Sequence, residues 1–521
     1  MDTDTPADRL EKIAYPPLSD DLKGGFGWRS LKYFGAGAIM ASVTIGSGET
    51  LFASRAGALF GYALLWCFAG GAVMKGIQVY VGARHMTLTG EHPMTHWGHM
   101  PGPRNWVPLL IGVISIACFP FWLAGIPSMM GQILNWIFHI DQQVLGMSAG
   151  ELNRIIKAAT PENPAPEELL QKKAQLLAIQ RLWATLAIAA AVTFTWLQTY
   201  RVFEKIQTLI VGILLVSLLA ACFACRPDWL EAILGLIPSI PKYGPWVEHE
   251  CPGAWAQKEW VAVAVCLGAV GGGTYDYLGY LGCFREKDWG ALGLKHHRGI
   301  TDEDVEPDNV LPIDTSEENI ARGKRWLLPA RIDVTIGFLS VLVFTICFIL
   351  LAAVILHPKH DVPDELELLS KQSQFLTTFH PSLLYVYQLG IFMAFWGTTY
   401  GAYEIYLRTA YECLAPVSRR IRRMPERRFR AWTLVYCAGG GLIVLWLGPE
   451  NPMQTVKPAA IFGGVFACGL WCFAMIWADR RFLPKPLRMG PVLLLLTAIS
   501  GTALTTLGVK AIWDDYLSTL F

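Results

Sequence analysis

The chain has 521 residues, 53% of them hydrophobic and only 16% charged, with a net charge of +1. Soluble proteins carry about one quarter charged residues, so a soluble enzyme is excluded, and without a basic excess so is a nucleic-acid partner. Twelve cysteines lie scattered, mostly inside apolar runs, which excludes a disulfide-built miniprotein.

Residues 1–29 form a polar tail with Pro6, Pro16 and Pro17, too long and too mixed ahead of the first apolar run to be a cleavable signal peptide. Crossing a bilayer takes ~20 apolar residues. Eleven stretches meet that length, near 30–55, 58–84, 107–138, 180–198, 203–225, 259–282, 329–356, 382–411, 430–447, 458–478 and 490–512. They predict an all-α polytopic membrane protein with one transmembrane domain over 30–513 and a short tail at 514–521.

Two connections stand out. Residues 140–180 contain Pro166-Glu167-Glu168 followed by Leu169, Leu170, Leu176 and Leu177, an amphipathic helix predicted to run into span 4. Residues 284–327 form a charged loop with a capping-box start at Thr315 and Glu318. Lys and Arg set orientation. In the second half the loops after spans 6, 8 and 10 are rich in them, among them Arg285, Arg322, Arg419, Arg427, Arg480 and Lys485, whereas those after spans 7 and 9 carry only Lys359, Lys371 and Lys457. The expectation is a plasma (inner) membrane protein with its N-terminus in the cytoplasm and its C-terminus outside. Cys222 and Cys225 end span 5 and Cys251 follows in the next loop; they are read as unpaired thiols, without zinc-site spacing.

Spans 1 and 6 are interrupted. Span 1 contains Thr44-Ile45-Gly46-Ser47-Gly48-Glu49-Thr50 and span 6 contains Gly268-Ala269-Val270-Gly271-Gly272-Gly273-Thr274-Tyr275-Asp276-Tyr277, each about halfway through. A membrane helix must satisfy its own backbone, and a carboxylate at that depth is a functional hypothesis by default. Breaks five spans apart point to an inverted-repeat transporter with its site at the midplane. Packing glycines are the plainer alternative. No nucleophile–base arrangement supports an enzyme, and no cofactor is expected.

At these positions the sequence resembles the Nramp family of divalent-metal transporters. The resemblance rests on Gly35-Ala36-Gly37, Phe60-Gly61-Tyr62-Ala63-Leu64-Leu65-Trp66, Thr199-Tyr200-Arg201-Val202-Phe203-Glu204-Lys205-Ile206, Gly268-Ala269 and Arg331-Ile332-Asp333. It covers most of the chain from Gly35 to span 10. It implies a leucine-transporter-type inverted repeat, discontinuous helices 1 and 6, and a bundle of spans 1, 2, 6 and 7 moving against spans 3, 4, 8 and 9. The family's Asp-Pro-Gly-Asn is replaced by Gly46, Ser47, Gly48 and Glu49, and its Met-Pro-His by Gly272, Gly273 and Thr274. Its second helix 6 histidine aligns with Gly279, and its acidic helix 3 residues are absent around Cys118–Pro127. The soft ligand and the proton relay are therefore missing.

The residues standing there define the expected site. Glu49 and Asp276 are the candidate metal ligands; Gly46, Gly48, Gly271, Gly272 and Gly273 open the backbone, and Ser47 and Thr274 add hydroxyl oxygens. All-oxygen ligation suits a hard cation such as Mg²⁺. The expected function is thus alternating-access transport of a divalent cation. The alternatives are a small organic solute in the glycine-lined space, or a non-transporting receptor using loop 284–327.

Other polar residues carry plainer expectations. Lys75 is read as snorkelling to the interface, with neutralisation of Asp276 as the alternative. Glu404 and Arg408 are expected to pair at i, i+4, and Arg331 and Asp333 to mark the membrane boundary. Trp396, Tyr400 and Tyr403 are expected in packing rather than in a solute pocket. His85, His92, His96 and His99 are expected in a polar loop rather than around a metal, since Pro93 disfavours a helical His92/His96 pair.

Overall fold

The computed structural model describes residues 12–23, 27, 32–46, 48–158, 165–197, 201–297, 311–363 and 367–518. Span 1 runs as Ala36–Ile45, then, beyond Gly46, a π turn Glu49–Ala53 that continues into Ser54–Phe60. Span 2 is Leu65–Thr89, span 3 Trp106–Ile137, span 4 Glu167–Leu197 and span 5 Arg201–Cys225. Span 6 is split into Glu259–Ala269 and Thr274–Gly282. Span 7 is Glu317–Ile355, span 8 Leu383–Leu414 and span 9 Glu426–Leu447. Span 10 is Pro452–Ile461 and Ala467–Phe482 joined by a π turn Phe462–Phe466, and span 11 is Pro491–Ile512.

The eleven expected rods are therefore all present. Seven helices among the described residues are long and apolar enough to cross a membrane by themselves. Span 1 falls short because it is broken, span 2 because Lys75 and Gln78 dilute it, and span 8 because Tyr, Gln and Thr side chains do, while span 5 gives the shorter apolar stretch Leu209–Cys225. Outer helices turn apolar side chains outward at helical spacing: Leu209, Ile213 and Val216 on span 5, Val492, Leu495 and Ile499 on span 11. That is the surface a bilayer covers.

Packing sorts the rods into two groups. Span 7 lies against span 2 and both halves of span 1, and the first half of span 6 lies against span 2. Span 3 lies against spans 4, 8 and 9, and span 4 against spans 8 and 9. The second half of span 6 and the first half of span 1 both abut span 8, so the groups meet where helices 1 and 6 are interrupted.

Helix 167–197 is continuous from the amphipathic start into span 4, as its leucines require. The start of span 7 differs by one residue from the expected box. Ser316 is the cap, accepting the Asn319 amide at 3.4 Å, and Glu318 pairs with Arg322. The reason is Asp314, which takes both the Ser316 hydroxyl at 2.8 Å and its amide at 3.1 Å. Those two bonds hold the Asp314 carboxyl below the usual carboxylate range.

Part of the N-terminal tail is packed rather than loose. Ile13 bridges Ile313 in parallel, the Tyr15 amide donates to Asn319 Oδ1 at 2.7 Å, and the Tyr15 hydroxyl donates to the Leu88 carbonyl at 2.9 Å. The Trp326 indole N–H donates to the Pro16 carbonyl at 3.0 Å. This strip ties the end of span 2 to the start of span 7. Cys222, Cys225 and Cys251 form no disulfide among the described residues.

Candidate functional site

Span 6 stops being a helix at Val270, whose ψ is 129°. Gly271 and Gly272 follow at φ +68° and +84°, a left-handed conformation that side-chain-bearing residues avoid. Gly273 is extended, and helix resumes at Thr274. Asp276 then stands in the first turn, where its Oδ2 accepts the Gly273 amide at 3.0 Å. The carboxylate is 3% exposed, and its Oδ1 has no hydrogen-bond partner among the described residues.

Span 1 stops at Ile45. The Gly46 amide donates to the Thr398 hydroxyl oxygen of span 8 at 3.0 Å. Gly48 presses on the backbone of span 6: a Cβ there would collide with the Ala269 carbonyl oxygen. Only glycine permits that approach of two main chains. The two interruptions thus touch each other directly.

A small cavity of about 10 Å³ lies beside this junction, walled by Val43, Trp122, Asp276, Thr398, Thr399 and Tyr406 among others. That is the space of roughly one water molecule. Its lining, which also takes in Gly272 and Tyr275, contains no Met, His or Cys. A second cavity of about 140 Å³ lies between the later half of span 1, the first half of span 6 and span 10, with Phe52, Arg55, Tyr243, Gln454 and Lys457 in its wall.

Gly272 and Asp276 wall this cavity; Gly46 reaches it only through its bond to Thr398, and Gly48 lies against Ala269 instead. Ser47 and the Glu49 side chain lie outside the described residues. Thr274 is buried beside the cavity but engaged elsewhere: its hydroxyl donates to the Gly463 carbonyl at 3.3 Å and accepts from Ser115 at 2.8 Å. Gly271 and Gly273 shape the turn, with their carbonyls used internally. Tyr277 donates to the Gly271 carbonyl at 2.9 Å, and the Gly273 carbonyl accepts the Asp276 and Tyr277 amides at 3.0 Å each.

Lys75 does not snorkel. It is 0% exposed, and its ammonium donates to the carbonyls of Gly268 at 2.8 Å, Val270 at 2.8 Å and Gly272 at 2.7 Å. The unwound turn supplies acceptors that outbid the interface. Sequence reasoning also missed span 10, where the Gly463-Gly464 pair forms a π turn and Gly464 packs on the Gly268 backbone. The glycine pair was the available signal.

Three more expectations need correction. Glu404 binds Arg430 at 3.1 Å while Arg408 binds Glu286 at 2.6 Å, because partners on other elements reach them better than they reach each other. Asp333 does more than mark a boundary. It is 0% exposed, accepts the Gly35 amide at 2.7 Å and the Tyr280 hydroxyl at 2.6 Å, and so joins span 7 to spans 1 and 6. His85, His92 and His96 are buried, not in a polar loop; His85 Nε2 and His96 Nδ1 lie 2.7 Å apart, and His92 caps the short helix Pro93–Trp97. No three His, Cys, Asp or Glu side chains converge as a metal cluster among the described residues. Trp396, Tyr400 and Tyr403 do not line the central cavity; Tyr406, one turn on, does.

No known family profile matches the chain, and no curated protein matches it. Among solved structures it is similar to the Eremococcus coleocola manganese transporter. One variant of that protein superposes with a TM-score of 0.57 at 13% identity, covering 97% of this chain and 90% of that one. Its complex with an aromatic bis-isothiourea compound gives 0.55 at 14% identity, with the same coverage. MhsT in complex with L-phenylalanine gives 0.52 at 13% identity, covering 92% of this chain and 97% of that one. These likenesses establish the leucine-transporter fold.

Proposed function

We propose that this chain is a secondary transporter that carries a hard metal cation of the Mg²⁺ kind by alternating access around the two interrupted helices. The observation that carries the reading is the water-sized cavity beside the span 6 interruption, walled by a buried carboxylate with one oxygen that has no partner among the described residues. A carboxylate oxygen that has lost water and gained no donor needs a positive or donor-bearing occupant. A lining of carboxylate, hydroxyl and backbone oxygen favours a hard ion over Mn²⁺ or Fe²⁺. Glu49 would bring a second carboxylate. We place the protein in the plasma membrane, N-terminus inside, on its Lys and Arg distribution. The grouping of spans 1, 2, 6 and 7 apart from 3, 4, 8 and 9 supports rocking of one group on the other.

A second reading has its own observation. Trp122 and Tyr406, with Val43, Leu123 and Ile126, make much of the wall apolar, which suits a small organic solute once the cavity opens. Uptake into proteoliposomes separates the two, using Mg²⁺, Ca²⁺, Mn²⁺ and a panel of organic solutes. The expected result is Mg²⁺ uptake that falls at least about tenfold in Asp276→Asn and in Glu49→Gln, the scale of losing one charged ligand. Uptake of an organic solute without any divalent ion would overturn the cation reading. Mn²⁺ uptake without Mg²⁺ would overturn its hard-ion part.

A further inference from the structure

Unwinding span 6 strips the Val270, Gly271 and Gly272 carbonyls of their helical partners, and each must find another. All three can be followed. The Val270 and Gly272 carbonyls accept from Lys75, together with Gly268 from the preceding turn. Gly271 accepts from Tyr277, and Gly273 from the amides of Asp276 and Tyr277. An ammonium carries three N–H donors, and three backbone oxygens at 2.7 to 2.8 Å meet them here. Backbone oxygens converging at a broken membrane helix are what such folds offer to a dehydrated monovalent cation.

We propose that Lys75 is a tethered cation permanently filling a monovalent-ion site on the opened turn of span 6. It determines specificity by exclusion: no alkali ion can use those carbonyls, and cargo is left with Asp276 Oδ1 and the span 1 side of the junction. Resting on the transporter reading, this means that transport needs no sodium or potassium at that turn. The ion site itself is independent of that reading.

The test measures thermal unfolding of purified protein in detergent at fixed ionic strength, with choline, too large for the turn, exchanged for Na⁺ or K⁺. Wild type is expected to melt at the same temperature in all three. Lys75→Ala, which leaves the carbonyls facing an empty channel, is expected to melt lower in choline and to regain several degrees, saturably, in Na⁺ or K⁺. Lys75→Met fills that channel with an uncharged chain and is expected to stay low in every salt. A lysine that only braces the helix predicts no ion response in either variant, and that result overturns the proposal. If Lys75→Ala cannot be recovered folded, wild type decides: stability or uptake that requires Na⁺ or K⁺ sinks it, whereas indifference combined with a folded yield of Lys75→Ala that returns only in an alkali salt upholds it. Failure of uptake for every solute, beside an ion-dependent Lys75→Ala, would reject the transporter and keep the site.

Discussion

Asp276 and the glycines around it carry the chemistry at the scale of single residues. Gly48 has no room for a side chain, because its neighbour is the rigid Ala269 main chain. Gly48→Ala is expected to cost about 1–3 kcal/mol, the usual penalty for overpacking, read as a lower unfolding temperature. Gly272→Ala meets a different obstacle, a left-handed backbone worth about 1–2 kcal/mol at φ +84°. Tyr15 gives a pH dependence. Burial pushes its phenol up, against a smaller opposing pull from Arg84. The packed strip therefore keeps the phenol protonated where a released tyrosine would ionise, and its contribution is whole below about pH 10 and declines as pH rises past it. Protease sensitivity of the strip between about pH 8 and about pH 11 measures this; Tyr15→Phe should raise sensitivity at every pH and flatten the curve. Asp276 was legible in sequence because a carboxylate in an apolar run is anomalous wherever it points. Lys75 was not. Its depth followed from counting residues, but the carbonyls it meets belong to span 6, and one sequence has no register between helices.

Among the elements, the interrupted spans were readable and the distorted one was not. Spans 1 and 6 announce themselves by glycine beside an acid, and the structure breaks both. Span 10 has glycine without charge, which packing explains as readily, yet its π turn holds Thr274 through the Gly463 carbonyl. Span 2 is fixed to span 10 by a buried pair, Arg84 with Asp479 at 2.6 Å, and Asp479 also takes the Met489 amide at 2.9 Å. Arg84→Met leaves that carboxylate buried without its countercharge. The expected loss is about 3–5 kcal/mol, seen as a drop in folded yield and melting temperature. Partner choice for Glu404, Arg408 and Asp333 escaped the sequence for a single reason: spacing along a helix describes neighbours on that helix, and these residues bind across to others.

The architecture of the entire chain, eleven rods with eight of them in two packed groups, was the most legible feature, since the bilayer dictates rod length and composition. How side chains tie its two ends together was not. On one face Gln372, in the short helix Leu368–Gln372, donates at 2.6 Å to both the Thr50 carbonyl and the Ser54 hydroxyl, and accepts the Tyr387 hydroxyl at 2.8 Å. On the other, Asp333 grips Gly35 and Tyr280. Hydrogen–deuterium exchange should report these two latches separately. Gln372→Ala is expected to speed exchange over 49–60 and spare 32–45, and Asp333→Asn to do the reverse; parallel loosening of both segments in either variant would mean the latches are not independent. The strip around Tyr15 bears on how such samples are made. Because it stitches spans 2 and 7 together ahead of the first crossing, an affinity tag trimmed together with the leading residues would remove a joint from the folded body. Truncation at residue 20 should therefore behave like an internal mutation, and cargo assays on a shortened clone would report on a loosened machine.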